Sequence, residues 1–281
     1  MKSLHDTHFE NVDVVTSRLA DVDYIASRQL ATAVFLAFNL EKPVLVEGPA
    51  GVGKTELAKS LAAILDVPLI RLQCYEGLDE SKALYEWKYG KQLLYTQLLK
   101  DKLAELMQGA VGLAASIDRL HAHDDLFFSE HFLEPRPLYQ ALHQERGCVL
   151  LIDEVDKSDP EFEAFLLEVL SDFQVSVPEL GTIAAKVKPL VFLTSNNTRE
   201  MSDALKRRCL HLHIPFPDAG IERRILERRV PGLSAHLNRD LVAFVQAVRE
   251  LDLKKQPSVS ETIDWAKTLL LLNAEHLNLD L

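Results

Sequence analysis

Gly48-Pro49-Ala50-Gly51-Val52-Gly53-Lys54-Thr55 is the stretch whose reading decides the fold. It follows the apolar run Pro43-Val44-Leu45-Val46-Glu47 and precedes Leu57, Leu61, Ile64 and Leu65 at helical spacing, so a buried strand leads through a glycine turn into a helix. Gly48 and Gly53 permit a tight turn in which, past Pro49, the successive backbone N–H groups of Ala50-Gly51-Val52 and onward face inward toward phosphate oxygens. The helix that follows adds the positive end of its dipole. Lys54 is then placed to reach the β- and γ-phosphates and Thr55 to offer its hydroxyl to Mg²⁺, with Glu56 beside them in the first turn. The competing reading is an ordinary glycine-rich strand-to-helix turn, and the flanking strand and helix favour the phosphate loop.

The bulk numbers bound the rest. A chain of 281 residues with 47% hydrophobic content can build one large domain, or a large one with a small companion. The net charge of −11, from 42 acidic against 31 basic residues, opposes a sequence-independent grip on nucleic acid, which needs a positive contact surface. Met1 to Asp13 has no apolar core and does not read as a signal peptide, and no apolar run approaches bilayer length. Cys74, Cys148 and Cys209 are irregularly spaced beside predicted strands and read as small buried hydrophobes in a reducing compartment, so a cytoplasmic location is expected.

Apolar residues from Asp21 to Asn39 recur at helical spacing, predicting a helix beside the phosphate loop. Pro68 to Cys74 reads as a second strand. Tyr75 to Arg146 spans about seventy residues, too many for one crossover helix, and predicts an insertion. Within it Leu84 to Tyr95 suggests a short hairpin, Tyr95 to Leu106 a helix, and Leu138 to His143 a shorter one. Cys148-Val149-Leu150-Leu151-Ile152-Asp153-Glu154 is a strand buried on both faces that opens into a site. A helix over Ser158 to Asp172, a hairpin over Val175 to Val187, a strand over Leu190 to Ser195, a short helix over Asp203 to Arg208 and a strand over Leu210 to Ile214 follow. Beyond the Pro215-Phe216-Pro217-Asp218 corner only helices are predicted, about Ala219 to Arg229, Arg239 to Leu251 and Glu261 to Leu272.

The acidic motif narrows the chemistry. Asp153 at a strand end can hold Mg²⁺ through water, while Glu154 is placed to polarise a water attacking the γ-phosphate in line, so the pair implies hydrolysis. Two capping acids at a strand end are the plainer reading. A GTPase would carry an Asn-Lys-x-Asp loop, and the sequence has none. Asn196, in Thr194-Ser195-Asn196-Asn197, can orient that water together with Glu154, or simply turn the chain. Arg207-Arg208 ends a helix from which a cation reaches a neighbouring subunit's nucleotide more easily than its own, unless the pair is a solvated surface. The pairs His121/His123 and His211/His213 lack a third and fourth ligand at metal spacing and read as surface or strand histidines. Trp87 with Tyr85 and Tyr89 could stack on single-stranded nucleic acid, but the acidic balance favours packing or a protein contact.

Together these residues resemble the AAA+ ATPases over nearly the whole chain. Leu72 to Asp79, Tyr85 to Tyr89, Phe128-Ser129-Glu130, Arg136-Pro137-Leu138, Phe165 to Glu168, Pro178 to Thr182 and Ser260 to Trp265 are similar to the MoxR branch. Within that branch the chain is most similar to the subgroup found beside molybdenum hydroxylases of the carbon monoxide dehydrogenase type. The resemblance implies an α/β fold: an αβα sandwich with a five-stranded parallel sheet over residues 1–217 and a small all-α lid over 218–281. It also implies a helix-2 insertion at about 79–137 and a hairpin at about 175–188 with Glu179 to Gly181 at its tip. ATP and Mg²⁺ are the implied cofactors, a homo-oligomer in the form of a hexameric ring the implied assembly, and a von Willebrand factor A protein and a client metalloenzyme the implied partners. On this template Asn196 matches sensor 1 and Arg208 matches the arginine finger better than Arg207. The chain departs from the pattern at sensor 2, where Val259-Ser260-Glu261 brings Glu261 in place of an arginine. Arg223, Arg224, Arg228 and Arg229 read as a solvated or inter-subunit face of a lid helix.

The reading that results is a Mg-ATP-dependent remodelling ATPase with Lys54, Glu154, Asn196 and Arg208 as its catalytic set. A nucleic-acid motor is the alternative from another class, and the absence of Lys or Arg from Glu179-Leu180-Gly181 speaks against it. An ATP-binding switch with little turnover is a third; Glu154 opposes it and Glu261 favours it.

Overall fold

The computed structural model describes residue 4 and residues 9–98, 130–177 and 181–274. Helices α1 (Val12–Asp21) and α2 (Arg28–Leu40) lead to strand β1 (Val44–Glu47), and the phosphate loop opens α3 (Lys54–Leu65). After β2 (Leu69–Gln73) come α4 (Glu80–Ala83), β3 (Tyr85–Trp87), α5 (Tyr89–Leu98), β4 (Leu133–Pro135) and α6 (Pro137–Leu142). Then follow β5 (Val149–Asp153), α7 (Pro160–Asp172), β6 (Gln174–Val177), β7 (Gly181–Ala184), β8 (Leu190–Ser195), α8 (Asp203–Arg208) and β9 (Leu210–His213). Three helices complete the described residues: α9 (Ala219–Arg229), α10 (Ala235–Arg249) and α11 (Val259–Leu271).

Five parallel strands form one sheet in the order β2-β5-β8-β1-β9, as the resemblance implies. The central strands β1, β5 and β8 are largely apolar because both of their faces are covered. Leu45, Leu150, Ile152 and Leu193 pack into one core, and their alternates Val44, Val46, Val149, Leu151 and Phe192 into the other. Register then brings the strand ends together: Glu47 pairs with Ser195 and Gln73 with Asp153. The loops after β1, β5 and β8 therefore emerge side by side along the carboxyl edge, where ligands bind in open α/β sheets.

The structure departs from the expectations in two places. The helix expected from Asp21 begins only at Arg28, and ahead of it Val12–Asp21 forms a separate helix, α1, capped by Asn11 and packed through Val15 and Leu19 against α2. Tyr85 to Tyr95 is not a local hairpin: β3 pairs antiparallel with β4, with Tyr85 opposite Pro135 and Trp87 opposite Leu133, and Tyr89 already begins a helix. Buried Trp87 stands edge-on to Tyr85, so it offers no open stacking platform. The predicted helix toward Leu106, His121/His123, Phe128-Ser129 and the hairpin residues Glu179 and Leu180 lie outside the described residues.

The C-terminal helices have a core of their own, built from Leu226, Leu237, Leu241, Val245, Ala266 and Leu269. Asp218, Ser234 and Ser258 cap their starts with side-chain oxygens. Beneath that core Glu222 takes both Nη1 and Nη2 of Arg249, at 2.7 and 2.8 Å, and also accepts from Gln246 and Thr262.

Candidate functional site

Backbone geometry explains why glycines stand in the phosphate loop. Gly48 runs so close to the strand end after β9 that a Cβ there would lie 2.1 Å from the Ile214 carbonyl oxygen. Gly51, at φ +75, would drive a Cβ to 2.5 Å from Ser258, so the start of α11 rests on the loop. Gly53 precedes α3 without any side-chain cap, leaving the first-turn N–H groups turned to the loop's concavity, where an anion satisfies them. Tyr24, buried beside the loop, reaches the Gly53 carbonyl at 3.5 Å.

Lys54 is buried, and its Nζ donates to the carbonyls of Gly48 and Pro49 at 2.5 and 2.8 Å and to Asn196 Oδ1 at 2.8 Å. Burial pulls its pKa below the ordinary lysine value, and Asp156, Asp153 and Glu154 pull the other way. The ammonium is thus folded back over the loop, poised to exchange carbonyls for phosphate oxygens. Thr55 Oγ1 lies 3.3 Å from both carboxylate oxygens of Asp153. A hydroxyl facing a carboxylate is a hard oxygen set of the kind Mg²⁺ takes, with substrate phosphates completing the shell, so Thr55 and Asp153 fit that metal.

Around Asp153 and Glu154 the structure adds partners that the sequence did not single out. Asp153 receives Arg71 Nε and Nη2 at 3.0 and 2.6 Å on Oδ2, and the Thr194 hydroxyl at 2.5 Å on Oδ1. Arg71 Nη2 also donates to Gln73 Oε1, and Gln73 Nε2 donates to Glu154 Oε2 at 2.9 Å. Glu154 sits at φ +56, fixed by its N–H to Thr194 Oγ1. Lys157 holds its Oε2 at 2.7 Å, and Asn196 Nδ2 donates to its Oε1 at 3.1 Å. Behind Asn196, buried Asp156 accepts from the backbone N–H of Asn196 and Thr198 and from the Thr198 hydroxyl. Burial raises the Asp156 pKa, but these bonds outweigh it and leave the acid below its ordinary value. Arg71 and Gln73 alternate along β2 and so share a face; that alternation was readable in the sequence, but their register against Asp153 was not.

Lys54, Thr55, Asp153, Glu154 and Asn196 therefore converge on one bonded network, with Glu56 at its margin. Arg208 stands apart: exposed at the end of α8, it donates to Ser171 Oγ at 2.6 Å and to the Ala204 carbonyl. Glu261 closes a capping box with Ser258 and pairs with Lys255, which together hold its pKa at about 2, so it is a helix cap. His211 meets the Lys206 carbonyl, and His213 lines a cavity of about 760 Å³. That cavity runs between the phosphate loop and the C-terminal helices, past Tyr24, Ile25, Gly53, Phe216, Ile221 and Val259. Its apolar and aromatic wall suits a planar base. Cys74, Cys148 and Cys209 are buried, their thiols pushed up to about 12, by burial first in each case. Among the described residues no group of His, Cys, Asp and Glu forms a metal-ion cluster, and no helix is long and apolar enough to cross a membrane.

The class these features define is a P-loop αβα sandwich carrying a helical lid. Residues 43–209 match the AAA domain of the dynein-related subfamily, and the chain belongs to that family of AAA+ ATPases. It is 26% identical over 240 residues to an uncharacterized protein of Staphylococcus aureus (strain bovine RF122 / ET3-1), covering 83% of this chain and 77% of the relative. An uncharacterized protein of strain USA300 is 23% identical over 240 residues with the same coverages. A mutant RuvB of Thermotoga maritima matches 100% of this chain and 70% of its own, at a TM-score of 0.48 and 18% identity.

Proposed function

We propose that this protein is a Mg-ATP-dependent ATPase of the MoxR type that hydrolyses ATP at the interfaces of a homo-oligomeric ring and uses the cycle to remodel another protein. The observation that carries the reading is the bonded network joining Lys54, Asp153, Glu154 and Asn196 at the carboxyl edge of the sheet. In this reading Lys54 leaves the Gly48 and Pro49 carbonyls for the β- and γ-phosphates, and the loop from Gly48 to Thr55, Pro49 excepted, supplies backbone donors. Thr55 and Asp153 hold Mg²⁺, which supplies neutralisation of charge on the phosphates. Glu154 accepts the proton of the attacking water while Asn196 holds that water in line. Gln73 and Lys157, which grip Glu154 Oε2, have to release it before it can act.

Arg208 is exposed and bonded away from Lys54, which supports a role toward a neighbouring subunit. Such a finger is worth on the order of 10³- to 10⁵-fold in rate. The division into a core over residues 1–217 and a lid over residues 218–281 belongs to the same reading. A von Willebrand factor A partner and a client metalloenzyme, awaiting cofactor insertion or activation in the manner of carbon monoxide dehydrogenase, rest on the sequence resemblance alone, as does a cytoplasmic setting.

The test is steady-state ATP hydrolysis against protein concentration, with solution mass recorded with and without ATP, for wild type and Arg208→Ala. Activity that rises with assembly and falls at least a hundredfold in Arg208→Ala supports the ring. Activity independent of assembly and indifferent to Arg208 removes the finger and the interface from the account.

A further inference from the structure

Helix α9 carries basic residues on a face turned away from the nucleotide cavity. A cleft of about 640 Å³ opens between α9 and the first turns of α10, with Arg223, Arg224, Glu227, Asn238 and Arg239 on its walls. None of these five lines the nucleotide cavity, although Asp218 and Ile221 border both. Arg224 and Arg239 are exposed and make no hydrogen bond or ion pair among the described residues, while Arg223 only turns its Nε back to the Ala219 carbonyl at 3.2 Å. Acids are plentiful in a chain with 42 of them against 31 bases, and elsewhere they take arginines up, as Glu163 does Arg199 and Asp23 does Arg228. Beside the cleft the carboxylates are committed: Asp218 caps α9 by accepting from the Ile221 N–H at 2.8 Å, and Asp240 meets His236 at 3.0 Å. Among the cleft's residues Glu227 alone is left to oppose three cations.

Asn238, in the same cleft, gives an independent reason to expect a ligand. It is buried, at 3% exposure, and its Nδ2 donates to the Arg223 carbonyl at 3.2 Å. That bond fixes the orientation of the amide, because the reverse would set two oxygens face to face. Oδ1 is left buried with no partner among the described residues. A buried acceptor without a donor is costly, and a ligand that brings it an N–H removes the cost. Free phosphate or an isolated carboxylate satisfies the arginines but offers Asn238 no donor, whereas a polypeptide with Asp or Glu side chains brings both groups. We propose that the cleft between α9 and α10 is a docking site for an acidic segment of a partner protein. Its carboxylates pair with Arg223, Arg224 and Arg239, whose planar guanidinium forks match carboxylate geometry, and a backbone N–H donates to Asn238 Oδ1. Nucleic acid shares the negative charge, but the net charge of −11 on the whole chain opposes it. The site needs no nucleotide, and it gives the C-terminal helices a surface of their own toward other proteins.

The test is fluorescence polarisation of the full chain with a labelled hexaglutamate peptide, in the absence of nucleotide and at low salt. Binding saturates, Arg224→Ala and Arg239→Ala each weaken it about tenfold, and Glu227→Gln binds at least as tightly as wild type. Arg228→Ala, on the same helix but paired with Asp23, stays within about twofold. An oligoacrylate with the same number of carboxylates and no N–H competes about fivefold more weakly than the unlabelled peptide. Melting temperatures are the structural control, and ATP hydrolysis in the same samples reports on the ATPase reading separately. Absence of saturable binding to wild type overturns the proposal, as does an equal loss in Arg228→Ala, which would leave only diffuse charge attraction. An oligothymidylate that outcompetes the peptide would assign the cleft to nucleic acid instead. A drop in solution mass in Arg224→Ala or Arg239→Ala would make it a contact between copies of this chain, which also overturns the proposal.

Discussion

Asp153 and Glu222 are both buried carboxylates in the grip of an arginine, and they differ in what surrounds the grip. Glu222 is fully buried and its partner Arg249 nearly so, at 0% and 6% side-chain exposure. Arg249 is further pinned by the Pro257 carbonyl and by the Phe216 ring, whose centroid lies 4.6 Å from its guanidinium carbon. Asp153 is as buried, at 5%, but Arg71 is half exposed, at 50%, and reaches it from the outer strand of the sheet. A pair sealed on all sides has no other state available at modest cost, whereas a buried carboxylate with a solvated partner can trade one cation for another. The lid pair is thus scaffold, and the pair at the sheet's edge leaves Asp153 free to take up the metal proposed for it.

The difference is sharpest in what removal of each arginine does. Arg249→Ala leaves Glu222 buried and uncompensated, so it costs about 3–5 kcal/mol, read as a loss of stability in urea unfolding. It also frees Phe216 on the cavity wall. If Arg249→Ala unfolds no more easily than wild type, the lid pair is not the scaffold described. Arg71→Gln is milder: with a half-exposed partner the stability loss stays below about 1 kcal/mol. Because Oδ2 of Asp153 is released, the apparent affinity for Mg²⁺ rises about threefold in calorimetric titration in the presence of a non-hydrolysable nucleotide. A fall in Mg²⁺ affinity would mean that Arg71 supports the metal position rather than competing for it.

What the sequence disclosed follows the same division. The loop from Gly48 to Thr55 was legible because backbone turning and phosphate chemistry demand particular residues at fixed spacing. Asp153-Glu154 stood out because a carboxylate pair ends an otherwise apolar strand, and the structure sets Asp153 against Thr55 and Glu154 against Asn196. Arg71 and Gln73 were not singled out, because their roles come from the pairing of β2 with β5, which places Gln73 opposite Asp153 across about eighty residues of chain. The pairing of β3 with β4 was hidden for the same reason: Tyr85 and Trp87 look like half of a local hairpin until Pro135 and Leu133 take the partner positions. Glu261 looked like a departure in a nucleotide-sensing position, and its hydrogen bonds to Ser258 show it to be a cap.

The smallest effect belongs to that cap. The Lys255 hydrogen bond, with the Ser258 contacts, lowers the Glu261 pKa from an ordinary 4.5 to about 2. A depressed folded-state pKa contributes stability above the unfolded value and loses it as pH falls through the folded one. Glu261→Gln should therefore melt slightly below wild type at pH 6, by about 1 kcal/mol or less, and the gap should close between pH 4.5 and about 2. A gap independent of pH would remove the charge from the explanation and leave only the cap's geometry.

In the proposed mechanism Asp153 and Glu154, adjacent on one strand end, divide the work: one holds the metal and the other activates water. The most direct test is single-turnover phosphate release by Glu154→Gln beside wild type, with ATP binding measured in the same samples. Mg-ATP should bind within about twofold of the wild-type affinity and phosphate release should slow at least a hundredfold. Release at the wild-type rate with binding intact would contradict it.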